Sequence, residues 1–366
     1  MTLANEPAGA APSCPVSYVD AGYQFVDGVN YRALKNSSTG ELVLLKYELG
    51  DDFTADGLAK VKVNGKFGFI NKKLELVIPA DFERAGDFTE GFAPVEKERN
   101  SFFIDTRGQR VSKPSFKPLM IVSEFSEGMV NVKVGNKWGY INAQGTIVIQ
   151  PRFDFAHSFS EGLAAVRIED SYGFIDRKGQ LVIKPQFSSV GSHGFREGRV
   201  AVILPGESKY AFIDKTGKVI VPPISFWPWP FQNGITGFGN REQDGLINKD
   251  GQIIATGFLL SAGGSDRGEG LYVAMKPGGQ FWGFIDEAGN WVLEPRFYYL
   301  SGPREGLAVA KTDESSRYGL INRKGDWIIN PSFDLVNPPS NGMIRIHMGD
   351  PKSGQVGYIP VPQGCQ

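Results

Sequence analysis

The sequence predicts an all-β tandem-repeat protein, and three observations carry that reading. A short phrase recurs down the chain: Phe88-Thr-Glu-Gly91, Phe125-Ser-Glu-Gly128, Phe159-Ser-Glu-Gly162 and Phe195-Arg-Glu-Gly198. It continues in looser form as Phe231-Gln-Asn-Gly234, Arg267-Gly-Glu-Gly270, Pro303-Arg-Glu-Gly306 and Asn341-Gly342, with Gly57 read as the first member. From Gly162 to Gly342 the glycines step by 36 residues, and a fixed period of that size marks a repeat architecture. Between the phrases, short apolar and aromatic runs have strand character, and helix is nearly absent. The 46 glycines and 23 prolines are spaced regularly instead of pooled in one linker, as in many short strands joined by tight turns.

Taken in order, residues 1–16 are small and polar and lack the charged start and apolar stretch of a secretory signal, so they read as a disordered leader. Residues 17–56 read as a degenerate N-terminal cap unit, in which Asn30–Leu34 and Ser38–Leu45 look like a worn second and third strand. Residues 57–340 form the array proper, best read in the unit at 161–186. Leu163-Ala-Ala-Val-Arg-Ile168 is a first strand, Tyr172-Gly-Phe-Ile-Asp176 a second, and Leu181-Val-Ile183 a third. Gly179 in Arg177-Lys-Gly179 can take the left-handed conformation that ends a tight hairpin. Pro185 cannot donate to a ladder and is expected to stop the third strand, after which a loop leads to Phe195.

The second strand recurs as Phe67-Gly-Phe-Ile70, Trp138-Gly-Tyr-Ile141, Trp282-Gly-Phe-Ile285 and Tyr318-Gly-Leu-Ile321, each followed by Asn or Asp as a turn opener. Gly at its centre is expected to admit a neighbouring backbone or ring. About nine three-stranded antiparallel meanders result. Residues 341–366 form an incomplete last repeat and tail, ending after a second strand at Tyr358-Ile359. Incomplete ends suit caps on an open, twisted array, which is the expected arrangement. The alternative is a closed, propeller-like ring in which one end completes the other's sheet.

The resemblance lies in Lys137-Trp-Gly-Tyr-Ile-Asn142, Gly145, Ile147-Val-Ile149, Pro151-Arg-Phe153 and Phe159-Ser-Glu-Gly162. These residues resemble the bacterial WG-repeat family, named for its Trp-Gly pair, over roughly residues 40–360. Only Trp138-Gly139 and Trp282-Gly283 keep the literal pair, and Asp244 replaces the ring altogether. The resemblance implies a β-rich repeat domain that mediates interactions, with no shared reaction and no catalytic residues to carry over. The repeat residues Trp138, Gly139, Trp282, Gly283, Phe88, Gly91, Phe125, Gly128, Phe159, Gly162, Phe195 and Gly198 are therefore read as structural.

Composition narrows the function. A formal charge of −1 from 39 basic and 40 acidic residues, evenly spread, lacks the cationic face of a nucleic-acid binder. No apolar run reaches the roughly 18–20 residues of a membrane span. The cytoplasm is the default compartment, although export without a cleaved signal would leave the same sequence. Cys14 and Cys365 lie near opposite ends, too few for a disulfide framework.

His157 and His193 share one repeat position, but no further ligand at metal spacing accompanies them, and a zinc site needs three or four. No metal or other cofactor is expected. The turn glutamates (Glu90, Glu127, Glu161, Glu197, Glu269 and Glu305) are expected to accept backbone N–H bonds within their own turns. Gly263–Gly268 lacks the Gly-Lys-Ser/Thr ending of a phosphate loop.

The most unusual stretch is Phe226-Trp-Pro-Trp-Pro-Phe231, with rigid rings of the kind enriched at binding hot spots. Its bland reading is that the rings fill a gap beside the unit weakened at Asp244. The functional reading is a partner site of Trp227 and Trp229, rimmed by His193 and Arg196. The expected function is thus a non-enzymatic scaffold whose loops bind a protein partner, as an adaptor or an antitoxin-like mask. Glycan or cell-envelope binding through Trp291, Trp327, Tyr298 and Tyr299 is the alternative. A propeller-type hydrolase or lyase is a remote third.

Overall fold

The structure, a computed structural model, describes residues 47–111, 124–226, 229–239, 244–261, 267–349 and 355–362, together with the backbone of strands at 23–28, 31–36, 42–45 and 120–121. The described residues hold antiparallel sheets of three or four strands, two of them joined into one of seven through strand Ile253–Leu260, and no α-helix. Nine sheets follow the repeat: I (49–82), II (84–105), III (120–153), IV (155–187), V (189–225), VI (235–260), VII (267–297), VIII (299–333) and IX (335–360).

In sheet IV the three expected strands are present as Leu163–Ile168, Ser171–Asp176 and Leu181–Phe187. The expected three-stranded meander is incomplete in two respects. Pro185 does not stop the third strand: the register shifts as Tyr172 pairs with Phe187 and Phe174 with Ile183, so the strand bulges and continues. It then runs on into the next sheet, where Ser189 pairs with Ile203. The stretch read as a loop thus begins with a fourth, two-residue strand. A proline costs one ladder bond, and a bulge accommodates it without ending the pairing.

The tight turn between second and third strands follows its residues. Asp176 Oδ1 accepts the N–H groups of Lys178 and Gln180 at 2.9 and 2.8 Å, and Gly179 has φ 81°. Asn142, Asp214, Asn248, Asp286 and Asn322 repeat this arrangement. In sheet III the glycine of the second strand is required sterically. A Cβ on Gly139 would lie 2.5 Å from the Ile149 carbonyl and 2.7 Å from Pro151 N, because the bulge folds across it.

Each sheet packs face to face on the next, with a separate apolar cluster at each of the nine interfaces among the described residues. The recurrent Phe is the wedge. Phe88 meets Phe69 at 4.7 Å between ring centroids, Phe125 meets Phe103 at 4.7 Å, Phe159 meets Tyr140 at 4.8 Å and Phe195 meets Phe174 at 5.1 Å. Each ring leaves its own turn for the aromatic of the preceding sheet. Burial of one such ring contributes about 1.5–3 kcal/mol, and the edge-to-face contact roughly 0.5–1.5 kcal/mol more.

The ninth interface joins the two ends of the chain. Ser126 and Ser160 donate to the carbonyls of Phe159 and Phe195, one unit ahead, at 2.7 and 2.6 Å. Ser340 donates in the same way to Phe53, at 2.9 Å. Sheet IX therefore treats sheet I as its successor. Met343, Val356 and Tyr358 share a core with Tyr47, Phe53, Ala59, Val61 and Ile70. Val356 N–H donates to the Tyr47 carbonyl at 3.0 Å, and strand Leu42–Leu45 lies along strand Gln355–Pro360. The repeat array is as expected, but its expected open ends are joined. The last unit ends without a third strand, and an unpaired sheet edge is best covered by a strand from elsewhere in the chain. The result is a closed ring of nine sheets, the arrangement of a β-propeller.

Candidate partner-binding surface

The turns form a row linked wherever the phrase carries a glutamate, and these glutamates bond differently from expectation; Asn233 and Asn341 stand in its place and donate to Glu287 and to the Phe53 carbonyl. Glu90 accepts the N–H groups of Glu127 and Gly128, both at 2.7 Å. Glu127 accepts from Gly162 (3.0 Å), Glu161 from Gly198 (2.9 Å), Glu197 from Gly234 (2.7 Å), Glu269 from Gly306 (2.9 Å) and Glu305 from Gly342 (2.9 Å). Each carboxylate holds the next turn, not its own. These glutamates sit at φ values of 49–55°, a left-handed conformation uncommon outside glycine, and from it the side chain reaches the following turn. The carboxylate of Glu161 is partly buried, which opposes ionisation, yet the Gly198 N–H and Lys215 outweigh this and hold it below the usual range.

On this row the Ser or Thr of the phrase becomes Arg196 and Gln232 in the turns of sheets V and VI. Arg196 is exposed, while its backbone exchanges two bonds with Arg199. The His193 ring lies 5.8 Å from that of Trp229, joining sheets V and VI. Trp229 is half-buried, its carbonyl accepts from Thr236 Oγ1 at 3.1 Å, and its Nε1 is buried without a partner. Burial, with the charges of Arg196 and Arg267, lowers the pKa of His193. Of the four residues proposed for the partner site, His193, Arg196 and Trp229 thus come together. Trp227 lies outside the described residues.

His157 occupies the same repeat position as His193 but sits among different neighbours, 5.0 Å from Phe155 and 6.1 Å from Tyr172. Among the described residues, no group of three or more His, Cys, Asp or Glu side chains could hold a metal ion. The gap expected at Asp244 is closed locally. The Phe238 ring lies over Gly245, and the Asp244 carboxylate accepts the Leu260 N–H at 2.8 Å. Of the four aromatics considered for sugars, Trp291 opens strand Trp291–Phe297 and Tyr298 follows its end, Trp327 packs edge-on to Phe297, and Tyr299 packs on Tyr318. Cys14 and Cys365, the 1–16 leader and the centre of Gly263–Gly268 fall outside the described residues.

Sequence reasoning passed over Arg267. It stands where other turns carry Phe, and it crosses to the preceding turn to donate from Nη2 to the Pro230 carbonyl. Its guanidinium is 5.7 Å from the Tyr272 ring centroid. The available signal was the break in the phrase itself, Arg267-Gly-Glu-Gly270.

Fold and turn row together define a β-repeat ring whose units are linked by wedge, hydroxyl and carboxylate. The chain belongs to the WG containing repeat family, whose profile matches residues 37–67, 67–100, 102–138, 138–171, 172–204, 210–238, 282–314 and 318–350. The stretch between 238 and 282 is unmatched, and it contains Asp244 and Arg267. Among solved structures, a eukaryotic initiation factor is similar at 9% identity, with 84% of this chain and 95% of that one covered and a TM-score of 0.52. At that identity the likeness is one of fold alone. Apo AztD from Citrobacter koseri (10% identity, 93% and 98% covered, TM-score 0.36) and Kluyveromyces lactis Hsv2 (9%, 85% and 96%, 0.31) also match. No curated protein matches the sequence. No helix among the described residues is long and apolar enough to cross a membrane.

Proposed function

We propose that this protein is a non-enzymatic scaffold that binds a protein partner on the turn row at sheets V and VI. The observation that carries this reading is the meeting of His193, Arg196 and Trp229 on one stretch of the turn row. A repeat scaffold supplies rigidity through its shared residues and specificity through those that differ. A half-buried indole beside an exposed arginine has the make-up of an interface anchor with a polar rim.

The test is affinity capture with the purified full chain and with a Trp229→Ala/Arg196→Glu variant. A specific protein retained by the parent and lost by the correctly folded variant is expected. Equal retention by both, or no protein partner alongside binding on a glycan array, overturns the reading.

A further inference from the structure

Three Asn-Gly pairs occur in the chain, Asn64-Gly65, Asn233-Gly234 and Asn341-Gly342, each with its asparagine at φ 50–53°. Asparagine is chemically labile before glycine, because no side chain hinders the glycine nitrogen from reaching the amide carbon. The glycine nitrogen bonds to Cγ, and its proton and the side-chain NH₂ leave together as ammonia. Water then opens the resulting succinimide to aspartate or isoaspartate.

In this protein the groups that must react are held. The Gly342 nitrogen donates to the two oxygens of Glu305 at 2.9 and 3.1 Å, that of Gly234 to Glu197 at 2.7 Å, and that of Gly65 to Glu48 at 3.2 Å. The departing Nδ2 is engaged as well: Asn341 donates to the Phe53 carbonyl at 2.6 Å and Asn233 to Glu287 at 3.0 Å. A carboxylate bound to an N–H keeps it aimed away from the neighbouring side chain, and its negative charge opposes loss of the proton.

Asn341 differs from the others in where its amide reaches. With Ser340 it donates to Phe53 across the joint between sheet IX and sheet I, in a part-buried setting, whereas the bond from Asn233 to Glu287 lies in solvent. An ionised aspartate accepts only, so at position 341 it would set an oxygen against the Phe53 carbonyl where a donor stood. We propose that Asn341-Gly342 is a deamidation site shielded by Glu305, and that its conversion loosens the closure of the ring. The reaction consumes only water, and the carboxylate that ties the turn of sheet VIII to that of sheet IX sets its rate.

The test is incubation of the full chain at mildly alkaline pH, with peptide mass spectrometry following amide-to-acid conversion at each Asn-Gly pair. Glu305→Ala should speed conversion at Asn341 several-fold and leave Asn233 at the parental rate, and Glu197→Ala should do the reverse. Each variant thus carries the other's site as its control against general unfolding. Glu305→Gln, which keeps an acceptor without the charge, should fall between parent and Glu305→Ala. Asn341→Asp, the product itself, should speed amide exchange at Val356, which donates to Tyr47 across the joint, and leave Gly198 at the parental rate. An unchanged rate at Asn341 in Glu305→Ala, or equal acceleration at Asn341 and Asn233, overturns the shielding. Parental exchange at Val356 in Asn341→Asp overturns the effect on closure.

Discussion

At the scale of single residues, two positions show how little slack the repeat has. Gly139 faces the bulge at Pro151 with no room for a methyl group. Gly139→Ala should lower the unfolding free energy by about 1–3 kcal/mol, measured by urea denaturation, and an unchanged midpoint would show that the bulge yields. Sheet V carries Ala211 at this repeat position, but there Pro222-Pro223 and the buried Ser225 replace the Pro-x-Phe ending. His157 makes a different prediction. Burial lowers its pKa in the folded chain, so the unfolded chain binds the proton more readily. The stability tied to neutral His157 is complete above the unfolded value near 6.5 and is lost as pH falls below it. His157→Gln should therefore lose less thermal stability than the parent between pH 7.5 and 5.5, and parallel losses would exclude the effect.

At the scale of elements, the Glu-Gly turn acts as a connector between sheets as well as a hairpin end. Glu90 alone satisfies two N–H groups of the following turn. Glu90→Ala leaves them to water at an exposed site, so the cost should be modest, about 1 kcal/mol. It should appear as faster amide exchange at Glu127 and Gly128, with the Phe125 amide still protected by its bond to Thr89 Oγ1. Exchange unchanged at both amides would mean the carboxylate is not holding them. The turn's Phe acts on the preceding sheet, whereas its Glu and, where present, its Ser bond to the following turn, so one four-residue phrase ties its sheet to both neighbours.

At the scale of the whole molecule, closure depends on a segment distant in sequence. Strand Leu42–Leu45 lies along Gln355–Pro360, and strand Tyr23–Gly28 lies against Trp327–Phe333. On that last strand the outward-facing Ile328 and Ser332 are 3% and 6% exposed, whereas the equivalent Val148, Val182 and Val292 are 45%, 48% and 50% exposed. Removing residues 1–45 should bare both a strand edge and this apolar face, a combination that promotes association. The truncated chain should unfold at lower temperature and show a higher mass by light scattering. A monomer of parent stability would show that the ring closes without the segment.

The period, the strand identities, the Asx turns and the need for glycine opposite a neighbouring backbone were legible in the sequence, because each follows from local chemistry. So was the inwardness of the recurrent Phe, since a ring repeated every 36 residues in a small sheet must be buried by its neighbour. Hidden were the partners of the glutamates, the strand that continues beyond Pro185, the role of Arg267 and the joining of Ser340 to Phe53. Those depend on the angle at which one sheet meets the next. A small constant rotation summed over nine sheets decides whether the ends part or meet, and no single repeat encodes that sum.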